Sequence, residues 1–234
     1  MTKEVIENHQ RYLERVALYK QHGCDIEEDR SFIIEKACPF SGNILEAGTG
    51  KGYFTLALAR LGFHFTSFDI SDAEQQYAKL NLAYYGLTSY VCFDVANAEC
   101  LPYQDNLFEV IFAVNIVHHL PSVRKVCDEL SRVLSPTGKI VLSDFNANGF
   151  ALVDKIHALE GKRHELNAGT LAETKAVLTE YGMKVEEYHD TYQDVLVAYE
   201  GADSEAADTV DARQPDAGGF FAALECLLAA GVLK

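Results

Sequence analysis

No CxxC pair occurs among the six cysteines, Cys24, Cys38, Cys92, Cys100, Cys127 and Cys226. That spacing suggests neither a zinc site nor a dithiol redox motif, and no other side-chain spacing points to a metal. Cys92 falls within an expected strand, where a buried free thiol is the ordinary reading. Met1–Thr2–Lys3–Glu4 does not open a secretory leader, so a reducing cytoplasm is the expected compartment. No apolar run reaches membrane-spanning length; the longest, Phe220–Leu233, is short and contains Glu225. Basic residues are sparse, with 20 Lys and Arg against 35 Asp and Glu and a formal net charge of −15. A surface of that sign repels phosphate backbones, and the densest basic cluster, Lys162–Arg163–His164, is short. Neither nucleic acid nor a membrane is an expected partner.

What the chain does have is a regular alternation. Its 234 residues, 48% of them hydrophobic, suffice for one well-buried α/β domain with modest additions. Residues 3–20 place Val5, Ile6, Tyr12, Leu13, Val16, Ala17 and Leu18 at mostly three-to-four spacing, an amphipathic helix. A short helix is expected over 27–37. Residues 43–47 then form a strand that ends in Gly48–Thr49–Gly50–Lys51–Gly52, and Tyr53–Arg60 follows as a helix. Strand 63–69 leads to a helix capped by Ser71 and running to about Tyr85. Strands are expected at 89–95 and at 108–114, the latter apolar enough for the buried middle of a parallel sheet. After a helix at 121–134, Pro136–Thr137–Gly138 turns the chain into strand 139–143.

This order implies a doubly wound, Rossmann-like, mostly parallel seven-stranded sheet with an N-terminal helical cap. Beyond Asp144 the pattern loosens into an irregular or helical insertion at 146–167 and a helix at about 169–182. Strands 184–188 and 194–199 follow, joined by a tight turn and hence antiparallel. The expected organisation is a domain over 1–200, made of the cap (1–38), a nucleotide-binding core (39–145) and a substrate-side half (146–200). Residues 201–219 read as an acidic linker. Residues 220–234 read as a helix whose Phe220, Phe221, Leu224, Leu227 and Leu228 could pair two subunits.

The glycine turn narrows the ligand. Strand, alternating glycines and helix start together let a polar ligand approach the backbone and the free N–H groups of the helix. A dinucleotide fingerprint wants its third glycine where Tyr53 stands, and a phosphate-binding loop wants Ser or Thr after Gly-Lys, where this chain has Gly52. What remains, Glu46-x-Gly-x-Gly-x-Gly, resembles the class I S-adenosylmethionine-dependent methyltransferases, specifically their small-molecule type 11 group. Asp69, at the end of the next strand, is the acceptor-only group that can hold both ribose hydroxyls, or else a helix cap. Asn97–Ala98–Glu99–Cys100–Leu101–Pro102–Tyr103 resembles the family's run before strand four, with Asn97 in place of the Asp that accepts from the adenine amino group; Asp94 is the fallback. Asn115–Ile116–Val117–His118–His119–Leu120 resembles the family's segment beside the methionine end of the cofactor. Glu129–Leu130–Ser131–Arg132–Val133–Leu134–Ser135–Pro136 resembles a helix-ending run of structural role.

The resemblance covers about residues 40–145 and implies S-adenosylmethionine as cofactor. It assigns cofactor contacts to Glu46, Gly48, Thr49, Gly50, Gly52, Tyr53, Asp69, Ile70, Asn97, Ala98 and Asn115. It implies methyl transfer to a small molecule, for which proximity and orientation supply much of the rate. A base is needed only where the nucleophile starts protonated. His118 and His119 are the candidates, with a strand-capping role as the alternative. Adjacent side chains at a strand end point apart, so only one of the two is expected to face substrate. Tyr12, Tyr19, His22 and His157 are candidate substrate contacts, although Tyr12 also suits the core. Two other readings stay open: a non-catalytic cofactor-binding regulator, and an aminopropyltransferase, for which Asp144 would be the polyamine carboxylate.

Overall fold

The computed structural model describes residues 1–163 and 166–200. The expected linker 201–219, the helix 220–234 with its pairing face, and His164 lie outside the described residues.

Two helices come first, α1 (Lys3–Gln21) and α2 (Ile26–Ala37). Thr2 and Asp25 cap them by accepting from Val5 N and Glu27 N, as short oxygen-bearing side chains do at exposed helix starts. There follow β1 (Ile44–Ala47), α3 (Tyr53–Arg60), β2 (Phe65–Asp69), α4 (Asp72–Tyr85), β3 (Val91–Val95), β4 (Phe108–Val114), α5 (Val123–Val133) and β5 (Leu134–Phe145). The last elements are α6 (Ala147–Leu159), α7 (Leu171–Glu180), β6 (Met183–His189) and β7 (Gln193–Glu200). The seven strands form one sheet in the order β3-β2-β1-β4-β5-β7-β6. The first five are parallel, and β7 runs antiparallel to both β5 and β6. The strand order reverses between β1 and β4, the place where open α/β sheets leave a ligand crevice at the strand ends.

The sheet divides the core in two because strand residues alternate faces. Val110, Phe112 and Val114 of β4 pack with Ile33, Phe54 and Leu58 on one side, under α2 and α3. Ile111 and Ala113 pack on the other side with Val126, Leu130 and Leu178 of α5 and α7. Phe112 is fully buried, and removing such a ring from water contributes roughly 2–3 kcal/mol.

Three expectations change here. Residues 136–138 belong to β5, and its pairing with β4 shifts register between Phe108 and Val110. Phe108 faces Leu134 whereas Val110 faces Lys139, so the turn is an outward excursion within one strand. Cys92 is exposed, because β3 is the sheet edge and its side chains are not all covered. Along α1, Val5 and Tyr12 point inward whereas Ile6 and Leu13 are exposed; the helix buries a narrower stripe than its apolar count suggests. It is fastened to α4 by Asn8 Nδ2, which donates to Tyr77 O at 3.1 Å and to Asn81 Oδ1 at 3.0 Å.

Candidate active site

A cleft of about 500 Å³ opens at the carboxyl ends of β1, β2, β4 and β5, under α1, α2 and α6. One end is built by the glycine turn. Gly48, Gly50 and Gly52 all have positive φ, at 84°, 48° and 78°, which glycine adopts without a Cβ penalty. Two of the three also serve packing. A Cβ on Gly48 would stand 2.2 Å from Ile116 Cγ2, and one on Gly52 would stand 2.7 Å from Ala78 Cα of α4. Gly50 alone faces open space.

The turn is pinned through side chains beneath it. Gly50 N donates to Asp69 Oδ2 at 2.8 Å and Ser71 N to Asp69 Oδ1 at 2.9 Å. Each carboxylate oxygen therefore keeps a further lone pair for a ligand hydroxyl. Thr49 Oγ1 lies 2.6 Å from Ser67 Oγ and accepts from Gln75 Nε2. Glu46, at the end of β1, is buried and accepts from Thr55 Oγ1 and Ser67 Oγ, the latter at 2.5 Å. Burial raises its carboxyl to about 7, against the pull of those two hydroxyls.

On the far wall, Asn115 follows β4 with φ 55°. Its backbone N donates to Ser143 O at 2.7 Å, whereas its Oδ1 is buried with no partner among the described residues. Residues 117–119 then form a 3₁₀ turn. His118 and His119 both line the cleft, with ring centroids 4.0 Å apart. Both reach the wall because the chain there is a turn and not an extended strand. They differ in setting: His118 is buried and His119 exposed. His118 Nδ1 sits 2.6 Å from Asp144 Oδ1, and His118 N donates to Asp144 Oδ2 at 2.9 Å. Asp144, at the end of β5, is itself 3% exposed.

Tyr19, Tyr53 and His157 also line the cleft, as do Glu46, Thr49 and Asp69. Tyr12 does not. It is buried behind Tyr53, stacked on it at 5.3 Å, in a run of rings that continues through His9 to Tyr84. His22 ends α1 as its cap residue and is not part of the cleft wall. Ile70, Asn97 and Ala98 also lie outside that wall, on the rim beside Asp69, where Ala96 N donates to Asp69 O at 3.0 Å. Asn97 is exposed and its Oδ1 accepts from Glu99 N. Asp94, the fallback adenine partner, instead accepts from Tyr103 Oη at 2.9 Å. Residues that sequence reasoning did not single out complete the site: Arg15, Arg30, Lys51, Phe145 and Tyr192 line the cleft; Asp144, considered for a polyamine, instead holds His118. Arg15 pairs with Glu160, the cap residue that follows α6. Among the described residues no group of three or more His, Cys, Asp or Glu is arranged to hold a metal ion.

A strand-end crevice with a glycine turn, an acidic residue closing the second strand and a 3214576 sheet defines the class I nucleoside-cofactor transferase architecture. Residues 45–142 match the family described as methyltransferase domain. Over 179 residues the chain is 27% identical to glycine/sarcosine/dimethylglycine N-methyltransferase of Actinopolyspora halophila, covering 76% of this chain and 31% of that protein. It is 29% identical over 188 residues to 27-O-demethylrifamycin SV methyltransferase of Amycolatopsis mediterranei, covering 73% of this chain and 67% of that one. The crystal structure of the PH0226 protein from Pyrococcus horikoshii superposes with a TM-score of 0.63 at 18% identity, covering 82% of this chain and 92% of the other. Residues 45–142 are thus similar to the methyltransferase-domain family, S-adenosylmethionine is the cofactor that this similarity implies, and the chain spans 31%, 38% and 47% of the length of the first three curated relatives it matches. The site fits that group: the open space at Gly50, the spare lone pairs of Asp69 and the unpartnered Oδ1 of Asn115 are acceptor and backbone features suited to ribose hydroxyls and an ammonium.

Proposed function

We propose that this chain transfers the methyl group of S-adenosylmethionine to a small-molecule acceptor by in-line displacement. The observation that carries this reading is the conjunction, in one cleft, of the glycine turn and Asp69 with the buried His118–Asp144 pair. The sulfonium supplies an electrophilic methyl group, so the protein's task is to hold the nucleophile in line. Asp69 would hold the ribose hydroxyls, Asn115 Oδ1 the aminoacyl ammonium, and the rim residues Ile70, Asn97 and Ala98 the adenine edge. Asp144 accepts at Nδ1 and so favours the tautomer in which His118 Nε2 is the acceptor nitrogen. That arrangement suits removal of a proton from an O–H or N–H nucleophile. Asp144 acts through His118 and is a positioning residue. Engaged in this way and buried, it does not offer a polyamine a carboxylate, which removes the feature that favoured aminopropyl transfer.

The small-molecule acceptor follows from the −15 charge, which opposes nucleic acid. The five described cysteines are all free thiols, in keeping with a reducing cytoplasm. The test is calorimetric titration of the wild type and of Asp69→Ala with S-adenosylmethionine and S-adenosylhomocysteine, followed by an acceptor screen that reads S-adenosylhomocysteine release. Binding that collapses in the variant and turnover with one acceptor class are expected. Failure of the wild type to bind either nucleoside overturns the reading. Binding without turnover on any acceptor class leaves the regulator in its place.

A further inference from the structure

The segment that leads into α7 clasps the turn carrying the two cleft histidines. The 3₁₀ turn at 117–119 closes through His119 N to Ile116 O at 2.9 Å and Leu120 N to Val117 O at 3.0 Å. Those bonds leave the carbonyls of His118 and His119 to be met from outside the turn, as at other helix ends. Asn167 meets both. Its backbone N donates to His118 O at 2.7 Å, and its Nδ2 donates to His119 O at 2.6 Å. With Asp144 on Nδ1 and on N, His118 is held at its ring, its amide and its carbonyl.

The clasp is anchored and close-fitting. Thr170 caps α7 by accepting from Glu173 N at 3.1 Å, and Val177 and Leu178 root that helix in the core. Between cap and clasp lies Gly169, which is buried. A Cβ there would stand 2.3 Å from Val117 O and 3.2 Å from Val123 Cγ2. Gly169 is not among the positive-φ glycines, so the position requires room for the turn's backbone and not a special conformation. Asn167 itself is polar and exposed, and a solvated hydrogen bond contributes only about 1 kcal/mol to folding. Its place on both histidine carbonyls bears more on where those rings point than on how stably the chain folds.

We propose that Asn167 is a positioning residue for methyl transfer: through the carbonyls of His118 and His119 it fixes the turn, and with it the direction in which His118 Nε2 meets the acceptor's proton. Gly169 gives the clasp the room to close on Val117. The inference rests on the methyl-transfer reading of the cleft, in which His118 takes that proton. Misplacing a reacting group by about 1 Å costs on the order of 100-fold in rate, so a clasp that adds little to stability carries a large kinetic weight.

The full chain is compared with its Asn167→Ala, Asn167→Asp and Gly169→Ala variants in the presence of S-adenosylhomocysteine. Asn167→Asp keeps the shape of the side chain and loses the Nδ2 donor. NMR of protein labelled with ¹⁵N in its histidine rings reads the Nδ1-bound proton of His118, assigned by its absence in His118→Gln. In the wild type the buried Asp144 carboxylate shields that proton from water. Its exchange is expected to run about 10-fold faster in both Asn167 variants and faster still in Gly169→Ala. The Asn167 variants should melt within about 3 °C of wild type and bind S-adenosylhomocysteine within about twofold of it. On an acceptor identified by S-adenosylhomocysteine release, their kcat should fall about 10-fold with KM within about twofold.

Three results overturn the proposal. One is proton exchange in both Asn167 variants at the wild-type rate, or a wild type whose His118 carries no Nδ1 proton, either of which leaves nothing for Asn167 to aim. Another is a joint loss of melting temperature and S-adenosylhomocysteine binding in those variants, which makes the residue structural. The last is a KM that rises while kcat holds, which makes Asn167 an acceptor contact. A wild type that does not bind S-adenosylhomocysteine fails the methyl-transfer reading instead. The ring proton is then compared in the ligand-free proteins, where an unchanged exchange rate still overturns the clasp.

Discussion

The two halves of the cleft are built differently. The Asp69 half consists of strand ends and the turn between β1 and α3, and its contacts run largely through backbone groups: Gly50 N and Ser71 N on Asp69, Gly48 N and Thr49 N on Phe68 O. The opposite half consists of side chains projected from α1, α2 and α6 and from the 3₁₀ turn at His118. A backbone-built site tolerates little change, because its shape is that of the sheet. A side-chain-built site can be respecified one residue at a time. On the proposed function, donor and acceptor would meet walls of different tolerance, which suits a fold that keeps one ligand and varies the other.

This contrast can be broken most sharply at His118. His118→Gln should lower turnover with the identified acceptor about 100-fold or more while leaving S-adenosylhomocysteine affinity within a few-fold of wild type. Equal losses in both would show that the two halves are not separable. Asp69→Asn should do the reverse. Losing the charge behind two ligand hydrogen bonds costs about 2–3 kcal/mol, or roughly 100-fold in nucleoside affinity by calorimetry, and an effect under threefold would leave Asp69 only the pin of the glycine turn. Gly52→Ala probes the rigid half through its packing: with positive φ and Ala78 Cα in the way, it should cost about 2 kcal/mol in urea denaturation. A neutral result would mean that α4 can retreat.

The smallest effect is a pH dependence at Glu46. Its carboxyl is raised to about 7 from 4.5, so between those values the folded chain holds a proton that the unfolded chain has released. Stability from this group is present at low pH and declines as pH rises from about 4.5 to 7. Glu46→Gln should remove that slope, on the order of 1–2 kcal/mol between pH 6 and 8. An unchanged slope in the variant would locate the titration elsewhere.

The same contrast explains what could be read from the amino-acid sequence. The strand–glycine turn–helix at 44–60 and the carboxylate at Asp69 are local patterns, in which short-range geometry decides both fold and chemistry. The alternation of elements gave the sheet, including the antiparallel β6–β7 pair. The His118–Asp144 contact joins residues 26 apart, and no periodicity marks it. Arg30 looks like any surface arginine of an acidic helix until α1, α6 and the sheet close around it. Tyr12, a candidate for the substrate side, went to the core because α1 docks on α4 through Asn8, a tertiary choice that helical spacing does not encode. The register shift of β5 was hidden for the opposite reason: Pro136 and Gly138 mark a turn locally, and the flanking ladders absorb it into one strand.

The stacked rings that carried Tyr12 away from substrate have an optical consequence. The chain has no tryptophan and 12 tyrosines, so its near-ultraviolet emission is tyrosine emission alone. The run Tyr84–His9–Tyr12–Tyr53 begins on α4 and ends at the cleft wall. A purine or another aromatic ligand entering beside Tyr53 perturbs the last ring of that run, and the protein reports occupancy of its own site in its own fluorescence, with no label attached.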